Sequence, residues 1–158
     1  MNHKNKIELY SGPGRLPELS YGSWKALSIA SQLSVYKGHK PVFDLMDLVG
    51  GLMHVDPTAE ILNKYPIGQS LGMLGQSGFE PSDEIGLKAP MSGRVWRALI
   101  LAGFRRVMIS GYKDTTDPED ILMGLHFVRT ANPAAYYLDQ QGATFEKIRK
   151  DIKSIIRI

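Results

Sequence analysis

The stretch from Gly93 to Asp139 decides how the chain is read. Its first part, Gly93-Arg94-Val95-Trp96-Arg97-Ala98-Leu99-Ile100-Leu101-Ala102, puts Val95, Trp96, Leu99 and Ile100 on one helical face and stops at Gly103. Arg105 and Arg106 then lead into Val107-Met108-Ile109-Ser110, an apolar run that predicts a central strand. The acidic turn Tyr112-Lys113-Asp114-Thr115-Thr116-Asp117-Pro118-Glu119-Asp120 follows. Within it Asp117-Pro118 is a helix start, because Asp caps and proline fits the first helical position. Ile121, Leu122, Leu125 and Val128 give that helix, which runs to Ala131, its buried face. Pro133 leads into Ala135-Tyr136-Tyr137-Leu138-Asp139, the expected last strand. The order is helix, strand, acidic turn, helix, strand.

Toward the N-terminus the same alternation continues. Ile7-Glu8-Leu9-Tyr10 predicts strand 1, followed by the glycine- and proline-bearing loop Ser11 to Glu18. Ser20 to Val35 predicts a helix with an apolar stripe of Ala26, Leu27, Ile29, Ala30 and Leu33, stopped at Lys37-Gly38-His39. Pro41 to Val49 is almost continuously apolar, as a buried parallel strand is. A short helix from Phe43 to Val49 competes with that reading, because short apolar runs fit both. Asp56-Pro57 starts a helix over Thr58 to Lys64. Residues 68–90 are glycine-rich and weakly periodic, a long loop of the kind that is functional or mobile. Thr144 caps a last helix whose stripe is Phe145, Ile148, Ile152, Ile155 and Ile156, with a basic opposite face of Lys147, Arg149, Lys150, Lys153 and Arg157. No internal repeat, low-complexity segment or dividing linker is found.

These elements predict a single α/β domain over residues 1–158. Its form is a three-layer, Rossmann-like, doubly wound sandwich with a mostly parallel sheet of roughly four or five strands. The length of 158 residues is enough to bury a core. The net charge of +3 permits anionic partners without requiring them. With no cysteine, the chain has no disulfide, thiolate metal site or cysteine nucleophile. No apolar run is long enough for a membrane span, and no apolar segment follows the basic residues at the N-terminus. The expected location is cytoplasmic, with no membrane partner. His3, His39, His54 and His126 show no metal-ligand spacing, and no cofactor is called for.

In a doubly wound sheet ligands bind beyond the carboxyl ends of the strands. That rule nominates three groups. Ser11, Gly12, Gly14 and Arg15 lie in a strand-to-helix loop whose backbone N–H groups suit an anion, though the loop lacks the third glycine of the dinucleotide fingerprint and the Gly-Lys-Ser/Thr of a P-loop. Tyr112, Asp114, Asp117 and Glu119 surround a strand end where carboxylates can serve as nucleophile, base or hydroxyl anchor; Asp117 and Glu119 equally suit the start of a helix. Asp44 sits where a ribose-binding acid would, but its three-residue spacing from Asp47 puts the two on one face only in a helix. Arg94, Arg97, Arg105 and Arg106 could track a phosphate backbone and equally suit a solvated, ion-paired surface.

A strand ending in Leu9-Tyr10-Ser11-Gly12-Pro13 before a helix resembles the opening of the nucleoside deoxyribosyltransferase-like group. So does Ile109, followed by Asp114 to Asp117, Glu119, Gly124 and Ala135 to Asp139. Asp117-Pro118 stands where that family carries Gly-Thr. The resemblance implies a nucleotide or nucleoside ligand and hydrolysis or transfer at an N-glycosidic bond. Glu119 would be nucleophile or base, Asp114 and Asp117 would hold sugar hydroxyls, and the Gly12–Arg15 loop the anionic end. The alternative is a non-catalytic interaction or oligomerisation protein with a basic C-terminal helix, with homo-oligomers and nucleic acid among its partners.

Overall fold

The computed structural model describes residues 16–38, 42–67, 78–110, 115–129 and 131–155, with 107–110 as backbone. The helices among them are α1 (Tyr21–Tyr36), α2 (Leu45–Leu52), α3 (Thr58–Leu62), α4 (Gly93–Ser110), α5 (Pro118–His126), α6 (Pro133–Gln140) and α7 (Phe145–Ile155). Extended pairing among the described residues amounts to two isolated parallel bridges, Leu19 with Thr116 and Phe43 with Met91. The expected α/β, Rossmann-like sheet is therefore corrected to a helical fold. The segment read as strand 1 lies outside the described residues.

Each misread strand has a local cause. Val107 to Ser110 continues α4, which does not stop at Gly103. A Cβ on Gly103 would lie 2.8 Å from Pro17 Cβ, so the glycine is there to let the segment before α1 approach. In place of the strand expected over Pro41 to Val49, the helix α2 begins at Leu45, because Asp44 caps it. The Asp44 carboxylate accepts from Leu45 N at 2.8 Å, and Asp44 N donates to Asp47 Oδ2 at 3.1 Å. Leu45, Leu48, Val49 and Leu52 are each at most 1% exposed, so α2 has almost no polar face and its sequence loses the amphipathic period. Ala135 to Asp139 belongs to α6, with Pro133 in its first turn. Asn132 accepts from Ala135 N at 2.9 Å and donates to the Leu125 and Val128 carbonyls, tying the end of α5 to the start of α6.

The chain also repeats itself, contrary to expectation. The motif Trp24-Lys25-Ala26-Leu27 in α1 returns as Trp96-Arg97-Ala98-Leu99 in α4. The capping box of Asp44 and Asp47 on α2 returns as Asp117 and Asp120 on α5. Leu19 corresponds to Met91 and Phe43 to Thr116, so the two bridges are one contact made twice, reciprocally. Gly51 lets α2 lie on α1; its Cβ would strike the Ala26 carbonyl oxygen and stand 3.1 Å from Ala30 N. Gly124 does the same for α5 on α4, with a Cβ 2.8 Å from Ala102 N. The core where the halves meet holds Leu27, Phe43, Leu48, Leu99, Ile121 and Leu125, all fully buried. Each such side chain stabilises the fold by about 1.5–3 kcal/mol.

Candidate functional site

Ser11, Gly12, Gly14, Arg15, Tyr112 and Asp114 lie outside the described residues. The remaining predicted site residues sit at helix starts. Asp44 caps α2, accepts from Ser92 Oγ at 2.8 Å and pairs with Arg94. Arg94 Nη1 also donates to the Ala131 carbonyl at 2.5 Å, so Asp44 joins the two halves. Asp117 caps α5 in the corresponding position, and Glu119 is buried in the first turn of that helix. Asp44 therefore belongs to one half, and Asp117 and Glu119 to the other. No described strand end stands beside either group. Among the described residues no cluster of three or more His, Asp or Glu side chains could hold a metal ion.

An open trough of about 680 Å³ lies elsewhere, at the end of α1. Val35 and Tyr36 form one wall, and Gly78, Phe79 and Glu80 the other. Gln32 and Lys88 complete the lining. Tyr36 and Phe79 pack at 5.3 Å between ring centroids, and His54 meets Phe79 edge-on at 6.1 Å. Val35 is 55% and Tyr36 47% exposed, so the trough offers apolar surface to a ligand.

The wall is held by polar contacts to the outer face of α1. Gln32 binds both the N–H and the carbonyl of Ser82, at 2.8 and 3.4 Å. Ser28 Oγ accepts from Gly86 N and Ser31 Oγ from Lys88 N, each at 2.9 Å. Lys25 faces Asp83 at 3.7 Å. The positions Ser28, Ser31 and Gln32 recur on one face at helical spacing, which suits a clasp for a connecting segment. Burial pushes the His54 imidazole below its ordinary value, and the nearby Lys25 ammonium pushes it the same way. Sequence reasoning overlooked this trough. The available signal was Phe79, an aromatic residue alone in a glycine- and serine-rich segment.

A second exposed aromatic group lies on the other half. Phe127, 43% exposed, meets Phe145 edge-on at 4.9 Å, and His126 meets the same ring at 6.1 Å. Burial lowers the His126 pKa, opposed by the carboxylate of Asp139. Its Nε2 has no hydrogen-bond partner among the described residues.

No family model and no curated protein sequence matches this chain. Among solved structures it is similar to the N-terminal domain of the caseinolytic protease associated chaperone ClpD from Arabidopsis thaliana. The TM-score is 0.63, over 90% of this chain and 99% of that one, at 16% identity. Identity that low speaks to the fold, and the fold is a helical one. With the sheet gone, the strand ends that were to carry a nucleotide site are gone too. The nucleotide- or nucleoside-binding reading, hydrolase or transferase chemistry at an N-glycosidic bond and the deoxyribosyltransferase-like resemblance are corrected accordingly. No helix among the described residues is long and apolar enough to cross a membrane.

Proposed function

We propose that this domain is a polypeptide-docking module that serves a protease-associated chaperone, and that the trough beside Tyr36 and Phe79 receives an apolar side chain of the bound polypeptide. The observation that supports this most is the likeness to a chaperone's N-terminal domain over nearly the whole of that domain. The trough adds a surface of suitable chemistry. Its walls are aromatic and aliphatic, it is open along one side, and Glu80 and Lys88 on its rim can orient a backbone. Tyr36 and Phe79 are the anchors, because aromatic side chains offer large contact area at small entropic cost. We place this work in the cytoplasm, where cell fractionation can look for the protein.

Fluorescence anisotropy with a neutral, fluorescein-labelled twelve-residue peptide of Leu, Phe, Ser and Gly tests the reading. Binding should weaken about tenfold, or about 1.4 kcal/mol, in the double variant Tyr36→Ser, Phe79→Ser. Equal affinity in the two proteins, with the variant's helical circular dichroism intact, would sink the assignment of the trough.

A further inference from the structure

We propose that the outer face of α7 docks an acidic segment of a partner protein, through Lys147, Lys150 and Lys153. This goes beyond the trough and uses a separate surface. Ile148 and Ile152 turn α7 into the core, which leaves Lys147, Lys150 and Lys153 exposed on the opposite side at three-residue spacing. The acids on the same helix are already engaged. Glu146 accepts from Arg149 at 2.9 Å, and Asp151 accepts from the Tyr65 hydroxyl at 2.6 Å and faces Lys64 at 3.5 Å. Among the described residues the three lysines have no ion pair. The Glu146 carboxyl is held low by its hydrogen bond from Arg149, then by that residue's charge, and further by Lys150 and Lys153, so the field on this face is positive.

Two features specify the partner. The lysines span six residues, about 9 Å of helix. That matches two turns of an acidic segment and falls short of the row of phosphate contacts, about six to ten, that sustains strong binding to nucleic acid. The apolar side of α7 is buried against its own core, so it cannot lie in a membrane interface as an amphipathic anchor does. Carboxylates at turn spacing complement this face.

The full chain is tested by fluorescence anisotropy with a fluorescein-labelled twelve-residue peptide of Glu, Ser and Gly in 50 mM NaCl. The peptide should bind, and 300 mM NaCl should weaken it. The triple variant Lys147→Glu, Lys150→Glu, Lys153→Glu should lose at least about tenfold in affinity. The triple Lys→Gln variant should lose an intermediate amount, and it decides the matter if charge reversal unfolds the chain. Tyr36→Ser, Phe79→Ser should leave this binding unchanged, which separates it from the trough. No binding at 100 μM peptide overturns the proposal, as does affinity retained within twofold in both folded triple variants. Tighter binding of a duplex DNA or of phosphatidylserine vesicles than of the peptide also overturns it, in favour of that other partner.

Discussion

The half built on α1 and α2 and the half built on α4 and α5 use the same joints and different surfaces. Both begin with a tryptophan-bearing helix, both cap the next helix with a pair of aspartates, and both bring the two helices together over a glycine. Away from the joint they part. Ser28, Ser31 and Gln32 on α1 correspond to Ile100, Gly103 and Phe104 on α4. The first set hydrogen-bonds to residues 82–88, and the second presents an apolar face, with Gly103 against Pro17 and Phe104 62% exposed. The buried joint is constrained by backbone contact and changes little, while the outer faces are free to differ and take separate roles.

The joint gives the largest expected effect. Gly51→Ala and Gly124→Ala each force a methyl group into a neighbouring helix's backbone, which cannot swing aside. Each should cost about 3 kcal/mol or more, at the upper end of overpacking. Chemical denaturation measures both. If only one of them destabilises, the equivalence of the halves fails.

The capping boxes come next, because equivalent acids are neutralised by non-equivalent bases. Asp47 is paired with Lys37 at 2.8 Å, from just beyond the end of α1. Asp120, fully buried, is paired with Arg105 from within α4. Arg105→Met removes an ion pair from that buried carboxylate and should cost about 3 kcal/mol. Lys37→Met should cost less, since Asp47 is 4% exposed and nearer to water. Equal losses would show that the origin of the cation does not matter.

How far the sequence revealed this arrangement follows from the same physics. The starts of α1, α5 and α7 are legible, because Ser20, Asp117-Pro118 and Thr144 are chemical signals that act locally. α2 is misread because it is buried nearly all round, and an apolar run has no period to show. The three-residue spacing of Asp44 and Asp47 held the correction, since it makes sense only on a helix. Gly103 reads as a stop because a glycine needed for a close approach looks the same in sequence as one that ends a helix. The repeat is hidden because the halves share joint residues and little else. Glu119 and Asp117 are conspicuous as carboxylates, but that conspicuousness reflects a helix start. The trough is built from Tyr36 and Phe79, which lie far apart along the chain.

The histidines sharpen the comparison further, with a smaller expected effect. His54 on one half and His126 on the other both have pKa values lowered from the ordinary 6.5, mainly by burial. As pH falls, the unfolded chain therefore takes up its protons first, and the folded state loses ground. This contribution to stability is complete above about pH 6.5, declines as pH drops toward the folded values, and levels off beneath them. Tm should fall by a few degrees between pH 7.5 and 5. His126→Gln should remove most of that dependence and His54→Gln little, because His54 is exposed and solvent screens its shift. A dependence untouched by either substitution would place its origin among the carboxylates instead.

The smallest effect tests the outer faces directly. Gln32→Ala removes two hydrogen bonds to the Ser82 backbone, at a site open to water that can replace them, and should cost about 1 kcal/mol. Phe104→Ala, at the corresponding position, should change stability by no more than about 0.5 kcal/mol, because the side chain is mostly in solvent. Hydrogen exchange separates the two more sharply than melting does. Gln32→Ala should speed exchange at Ser82, Gly86 and Lys88, whose amides donate to α1, whereas Phe104→Ala should leave them alone. If loosening this clasp also weakens the neutral peptide, the wall that carries Phe79 must be held in place for the trough to work, and the polar face of α1 serves binding as well as folding.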